Sequence, residues 1–145
     1  MAVYKLFPTK DASLYSEFPS TNTGLDQILE ASTYLKEGTP FTSRYLIEFS
    51  TTEIQDILNN QVGNSSFATY LRNYTALVTS LNTTSILEVK TISGSWDMGT
   101  GVLGYNPSVK NGCSWDWRSY SGSNAWVSTG SDSYANPVYS QSFSY

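Results

Sequence analysis

The 145-residue chain contains no histidine, which removes the general base of Ser-His-Asp and Cys-His systems and the commonest zinc ligand. Little else is left to do chemistry. Cys113 stands between Gly112 and Ser114 with no basic neighbour in sequence, so it reads as a small apolar filler rather than an activated thiolate. Being the single cysteine, it has no partner for an intramolecular disulfide. Asp97, Asp116 and Asp132 sit near aromatic residues, where two carboxylates could serve as the acid and base of a glycosidase. Their spacing fixes no pair at a working separation, and there is no Asp-x-Asp-x-Asp-Gly loop to hold Ca²⁺. No phosphate-cradling glycine loop is present either. The expectation is a protein that is not an enzyme and uses no cofactor and no metal.

The residue types that stand out are aromatic. Trp96, Trp115, Trp117 and Trp126 all fall in a glycine-punctuated stretch, residues 94–136, in which charge is scarce and periodicity fails. Trp115, Trp117, Tyr120 and Trp126 are the candidate site. Their rings could stack on the C–H faces of pyranoses, anchor a protein interface, or form a small core that pins a long loop to the rest of the fold. Trp115 and Trp117, two apart, share a face if the chain is extended there, which suits all three. An uncovered aromatic patch of this density invites aggregation, so part of it is expected to be covered in the working state. Trp115→Ala or Trp126→Ala is then expected to weaken assembly while leaving the fold intact.

The elements that must position these residues read as strands. Only 14% of the chain is charged, against about 25% in ordinary domains, and Ser, Thr, Asn, Gly and Tyr supply the polar surface. These types suit pleated, half-buried strands and short turns. Alternation marks strands at 3–7, 12–18, 28–36, 44–49, 67–74, 86–92 and 138–145, with a weaker one at 77–81. In 44–49, Tyr45, Ile47 and Phe49 are expected inward and Arg44, Leu46 and Glu48 outward. Leu29, Ala31, Leu87 and Val89 complete the expected core. Loops are expected at residues 19–24 and 37–40. One segment breaks the period. Ser50-Thr51-Thr52-Glu53 has capping-box spacing, and Ile54, Ile57 and Leu58 follow at helical intervals, predicting a connector helix near 51–59. The fold class is therefore all-β, a jelly-roll-like antiparallel β-sandwich with one short helix and a long aromatic-rich loop, in one domain spanning 1–145.

Several motifs together resemble the opening of the DNRLRE-type β-sandwich. They are Phe7-Pro8-Thr9-Lys10-Asp11-Ala12, the Thr21-Asn22-Thr23-Gly24 loop, Ile28-Leu29-Glu30, Arg44-Tyr45-Leu46-Ile47-Glu48-Phe49, and Ser93-Gly94-Ser95-Trp96-Asp97-Met98-Gly99-Thr100-Gly101. The N-terminal run, the Trp96 motif and the Trp/Tyr-rich insertion also resemble virion structural proteins of tailed phages of marine bacteria and cyanobacteria. That resemblance implies a particle protein, on the capsid surface, neck or tail, acting through contacts with other virion proteins and with copies of itself as a homo-oligomer. Sandwiches of the family run on for two or three more strands, so this chain is expected to be the ordered part of a longer polypeptide, with a partner-completed sheet as the alternative. The rival function is a carbohydrate-binding module that attaches to a cell-surface glycan.

Charge and hydropathy narrow the partners. A formal net charge of −4 argues against nucleic acid, which wants a basic stripe. No apolar run approaches the roughly 20 residues needed to span a bilayer. The N-terminus enters an alternating pattern without a signal-peptide core, so localisation in the virion after synthesis in the host cytoplasm is expected. The sequons at Asn64, Asn73 and Asn82 are then chance matches in a Ser/Thr-rich chain.

Overall fold

The computed structural model of the chain describes residues 3–62, 67–76, 85–128, 130 and 139–143. It is mainly β, with antiparallel sheets and one short α-helix among these residues. The best-defined sheet has three strands, β1 (Lys10–Tyr15), β2 (Ser32–Lys36) and β3 (Thr39–Glu48), in the order β1-β3-β2. β2 and β3 form a hairpin closed by Glu37 and Gly38, with φ of 52° and 81°. Two consecutive positive φ values give the turn twist that matches paired strands, and glycine supplies the second at no steric cost. The expected loop thus shrinks to two residues. Pro40, expected in the turn, lies inside β3 opposite Leu35. It is tolerated because β1 pairs only as far as Ser43, leaving β3 an edge at Pro40 on the side where a missing N–H costs nothing.

The register Ala12↔Leu46 and Leu14↔Arg44 defines the inner face. Ala12, Leu14 and Leu46 are buried there against Trp96, Cys113 and Trp126, with Ile92, Met98 and Trp115 packed around them. This inverts the expected phase of β3: Leu46 is 4% exposed, while Tyr45, Ile47 and Phe49 are only half-buried. Both sets are apolar enough to be a core, so alternation alone leaves the side undecided. The choice is made by the distant tryptophan segment, which packs on the Leu46 side. Leu29, Leu87 and Val89 are half-buried and Ala31 is exposed, so none of the expected core residues is fully buried.

The opposite face of β1 is closed by polar groups. Thr23 Oγ1 donates to Ser13 O, and Glu30 N donates to Ser13 Oγ at 2.9 Å. Tyr15 Oη and Ser32 Oγ donate to the Glu30 carboxylate. Segment 23–30 therefore runs across this face, and burial pushes the Tyr15 hydroxyl up to about 12.

After β3 the chain turns helical as its capping signal predicts. Ser50 Oγ accepts from Glu53 N at 3.2 Å, and α1 (Thr51–Asp56) continues as a π-helical turn, Ile57–Val62. Residues 67–74, expected as a strand, have no regular secondary structure, and 67–76 are exposed throughout. The 3–7 segment is likewise not a strand. β4 (Ser85–Val89) pairs antiparallel with β7 (Tyr139–Phe143), and β5 (Trp117–Ser119) with β6 (Asn124–Ala125). The possible strand at 77–81 lies outside the described residues.

Three loops converge on one buried side chain. Asn22, 0% exposed, donates through Nδ2 to Met98 O at 2.7 Å and Cys113 O at 2.8 Å, and its Oδ1 accepts from Gly101 N at 2.7 Å. Its own N–H reaches Val109 O at 3.0 Å. A Cβ on Gly24 would stand 2.1 Å from Met98 O, one on Gly101 2.1 Å from Asn22 O, and one on Gly112 2.5 Å from the Gly99 Cα. These glycines are there because backbone touches backbone. The result is a knot of Thr21-Asn22-Thr23-Gly24, Met98-Gly99-Thr100-Gly101 and Asn111-Gly112-Cys113, which fixes the irregular 92–126 stretch to β1.

Candidate functional site

The four candidate aromatics do not form one surface. Trp126 is 5% exposed, lies in the core, and its Nε1 donates to Ser114 O at 2.8 Å. Trp115 is half-buried with the Arg44 guanidinium 5.2 Å from its ring centre, and Arg44 Nη1 also donates to Gly130 O at 3.0 Å. A Cβ on Gly130 (φ 78°) would meet the Trp115 ring at 2.8 Å, so the chain folds tightly over that ring. These two tryptophans pin the excursion to the sheet. Trp96 does the same at the far end, beneath Lys10, which bonds Trp96 O at 3.2 Å and pairs with Glu48 at 3.1 Å.

Trp117 opens β5 and Tyr120 begins the turn that leads to β6. Their ring centres are 5.2 Å apart at 68°. Trp117 is half-buried and Tyr120 is 36% exposed. Edge-to-face packing satisfies the two rings against each other and leaves no common plane for a sugar to stack on. Cys113 is fully buried and its thiol is pushed up to about 12, by burial first and then by the charge of Asp97. Such a thiol stays protonated and unreactive at neutral pH. Among the described residues no three acidic, cysteine or histidine groups cluster to hold a metal, and no helix is long and apolar enough to cross a membrane. Asp132 lies outside the described residues.

Other large apolar side chains stand exposed among the described residues. In segment 67–76, Phe67, Tyr70, Leu71 and Tyr74 are 57%, 88%, 43% and 81% exposed. Their spacing in sequence, i, i+3, i+4, i+7, would suit one face of a helix, but the segment forms neither helix nor strand. A second feature is a groove of about 420 Å³ lined by Phe18, Thr21, Leu103, Gly104, Tyr105, Asn106 and Ser108. Its two halves are more than 80 residues apart, so sequence gave no sign of it. No family model, curated protein or solved structure matches the chain.

Proposed function

We propose that this chain is a non-enzymatic structural protein that works in multiple copies, its surface strip at Phe67, Tyr70, Leu71 and Tyr74 being covered by a neighbouring copy. The observation that carries this reading is four large apolar side chains within eight residues, all solvent-exposed, a density of exposed apolar groups that favours association. The β4–β7 ladder supports it. Ile86 and Tyr139 on it are 68% and 58% exposed, and a two-stranded ladder is marginal by itself in water. We read the three-stranded sheet and this ladder as parts of a jelly-roll-like sandwich completed in the assembly. A place in the virion of a tailed phage, suggested by the motif resemblance, fits a chain without histidine and with exposed apolar side chains.

The test is sedimentation equilibrium of the full chain. The wild type should run as a multiple of its 16.0 kDa mass, and Tyr70→Ser/Tyr74→Ser should shift it to monomer without altering the far-UV circular dichroism. A variant that assembles like the wild type refutes the strip as the contact.

A further inference from the structure

The groove beside the Asn22 knot is a second feature, sharing no residue with the 67–76 strip. We propose that it is a binding site for a neutral saccharide, with the rings of Phe18 and Tyr105 as its stacking faces. Three observations carry this. First, both rings are open to solvent, 41% and 66% exposed, and both line the groove. Unlike Trp117 and Tyr120, they do not pack on each other. Second, the other lining groups are Thr21, Asn106 and Ser108, with Gly104 and Leu103 between. The lining thus combines aromatic faces with hydroxyl and amide groups and includes no charged side chain. That is the complement of an uncharged ring with C–H faces and equatorial hydroxyls, and it brings no cationic side chain to a phosphate, sulfate or carboxylate.

Third, the walls are held. Thr21 N bonds Phe18 O at 3.0 Å, Asn22 N bonds Val109 O at 3.0 Å, and Leu25 N bonds Gly101 O at 2.9 Å. The Asp26 carboxylate accepts from Leu103 N at 2.9 Å, and Tyr105 N closes a turn on Val102 O at 3.3 Å. Both sides are therefore tied to the same buried knot, so little ordering is left to oppose a ligand. The volume, about 420 Å³, lies in the range of small-ligand sites, about 300–1,000 Å³.

The experiment is a titration of the labelled full chain, followed by ¹H–¹⁵N NMR. The probes are methyl glucoside, methyl galactoside, maltose and cellobiose, with glucuronic acid and N-acetylneuraminic acid as charged comparators. At least one neutral sugar should shift the amides of residues 18–21 and 103–108, saturating at roughly millimolar concentration. The acids should not bind more tightly. Tyr105→Ala, whose side chain is 66% exposed, should weaken binding about tenfold at an unchanged urea midpoint, and Phe18→Ala should weaken it about as much while still folding. Tyr105→Phe should bind as the wild type does, and so should Trp117→Ala. The proposal is overturned if no neutral sugar moves these amides, if Tyr105→Ala binds normally, or if shifts appear only around Trp117 and Tyr120. Repeating the titration on Tyr70→Ser/Tyr74→Ser separates this site from assembly, since sugar binding should persist in the monomer.

Discussion

Removing the Asn22 side chain should unfasten the aromatic excursion from the sheet. In Asn22→Ala the carbonyls of Met98 and Cys113 and the N–H of Gly101 lose partners at 2.7, 2.8 and 2.7 Å, all on a site closed to solvent. A buried backbone group left unpaired costs about 1–3 kcal/mol. Three of them, partly relieved by a water entering the vacated space, put the loss at about 3–6 kcal/mol. Against a total stability of about 5–15 kcal/mol for a domain, that is enough to leave the variant partly unfolded at room temperature. Urea unfolding followed by tryptophan fluorescence reads the loss directly, because Trp96 and Trp126 are core residues. Asn22→Asp sharpens the test. A carboxylate oxygen would face the two carbonyls that Nδ2 now serves, so its folded-state pKa must rise above the unfolded one. The variant should therefore gain stability as pH falls and its carboxyl takes up a proton, opposite to ordinary acid unfolding. A loss below about 1 kcal/mol for Asn22→Ala would refute the knot as the fastening point.

Other consequences are equally concrete. Leu46→Ala should cost about 2–5 kcal/mol, and Ile47→Ala clearly less, by the same urea assay, because Leu46 is the core residue of β3; the reverse order would restore the phase expected from alternation. Gly112→Ala should destabilise by several kcal/mol, since its Cβ would meet Gly99 Cα at 2.5 Å; normal expression with an unchanged midpoint would contradict this. Glu17 is held below the usual carboxylate range by hydrogen bonds from Lys36 first and then Tyr34, so this clip between β2 and the end of β1 is present above the unfolded carboxyl pKa and lost as pH falls. NMR titration of the Glu17 side chain should show the depressed value, and Lys36→Ala should return it toward normal. Cys113 should resist alkylation at pH 8 until the chain is unfolded in urea, because its thiol is buried and pushed up to about 12; labelling of the native protein at the rate of a free thiol would contradict the burial.

The parts of this fold legible in the sequence were those set by local physics. The Ser50-to-Glu53 cap, the Glu37-Gly38 reversal and the strands around Leu14 and Leu46 depend on neighbours a few residues away. What was not legible depends on distant chain. Alternation in β3 is symmetric between the Tyr45 and Leu46 faces, and only packing of Trp96 and Trp126 from more than 45 residues downstream breaks the tie. Residues 67–74 carry both a strand-like and a helix-like reading, and the structure forms neither there. Among the four candidate aromatics, types and spacing were the same for core and surface roles. Trp126 belongs to the core because it packs with Ala12, Leu14 and Leu46, and the Ser114 carbonyl, 12 residues away, accepts its buried N–H. For that reason Trp126→Ala is now expected to damage the fold rather than assembly alone. The Asn22 knot was visible only as a Thr-Asn-Thr-Gly loop, with nothing local to say that three glycine-bearing segments close on it.

The most direct test of the central claim is imaging of the assembled protein at a resolution that traces neighbouring chains. A second copy should lie over Phe67, Tyr70, Leu71 and Tyr74, while Trp126 stays within its own chain's core. Particles in which residues 67–76 face solvent on every copy, or a protein that stays at 16.0 kDa at the highest concentration imaged, would contradict it.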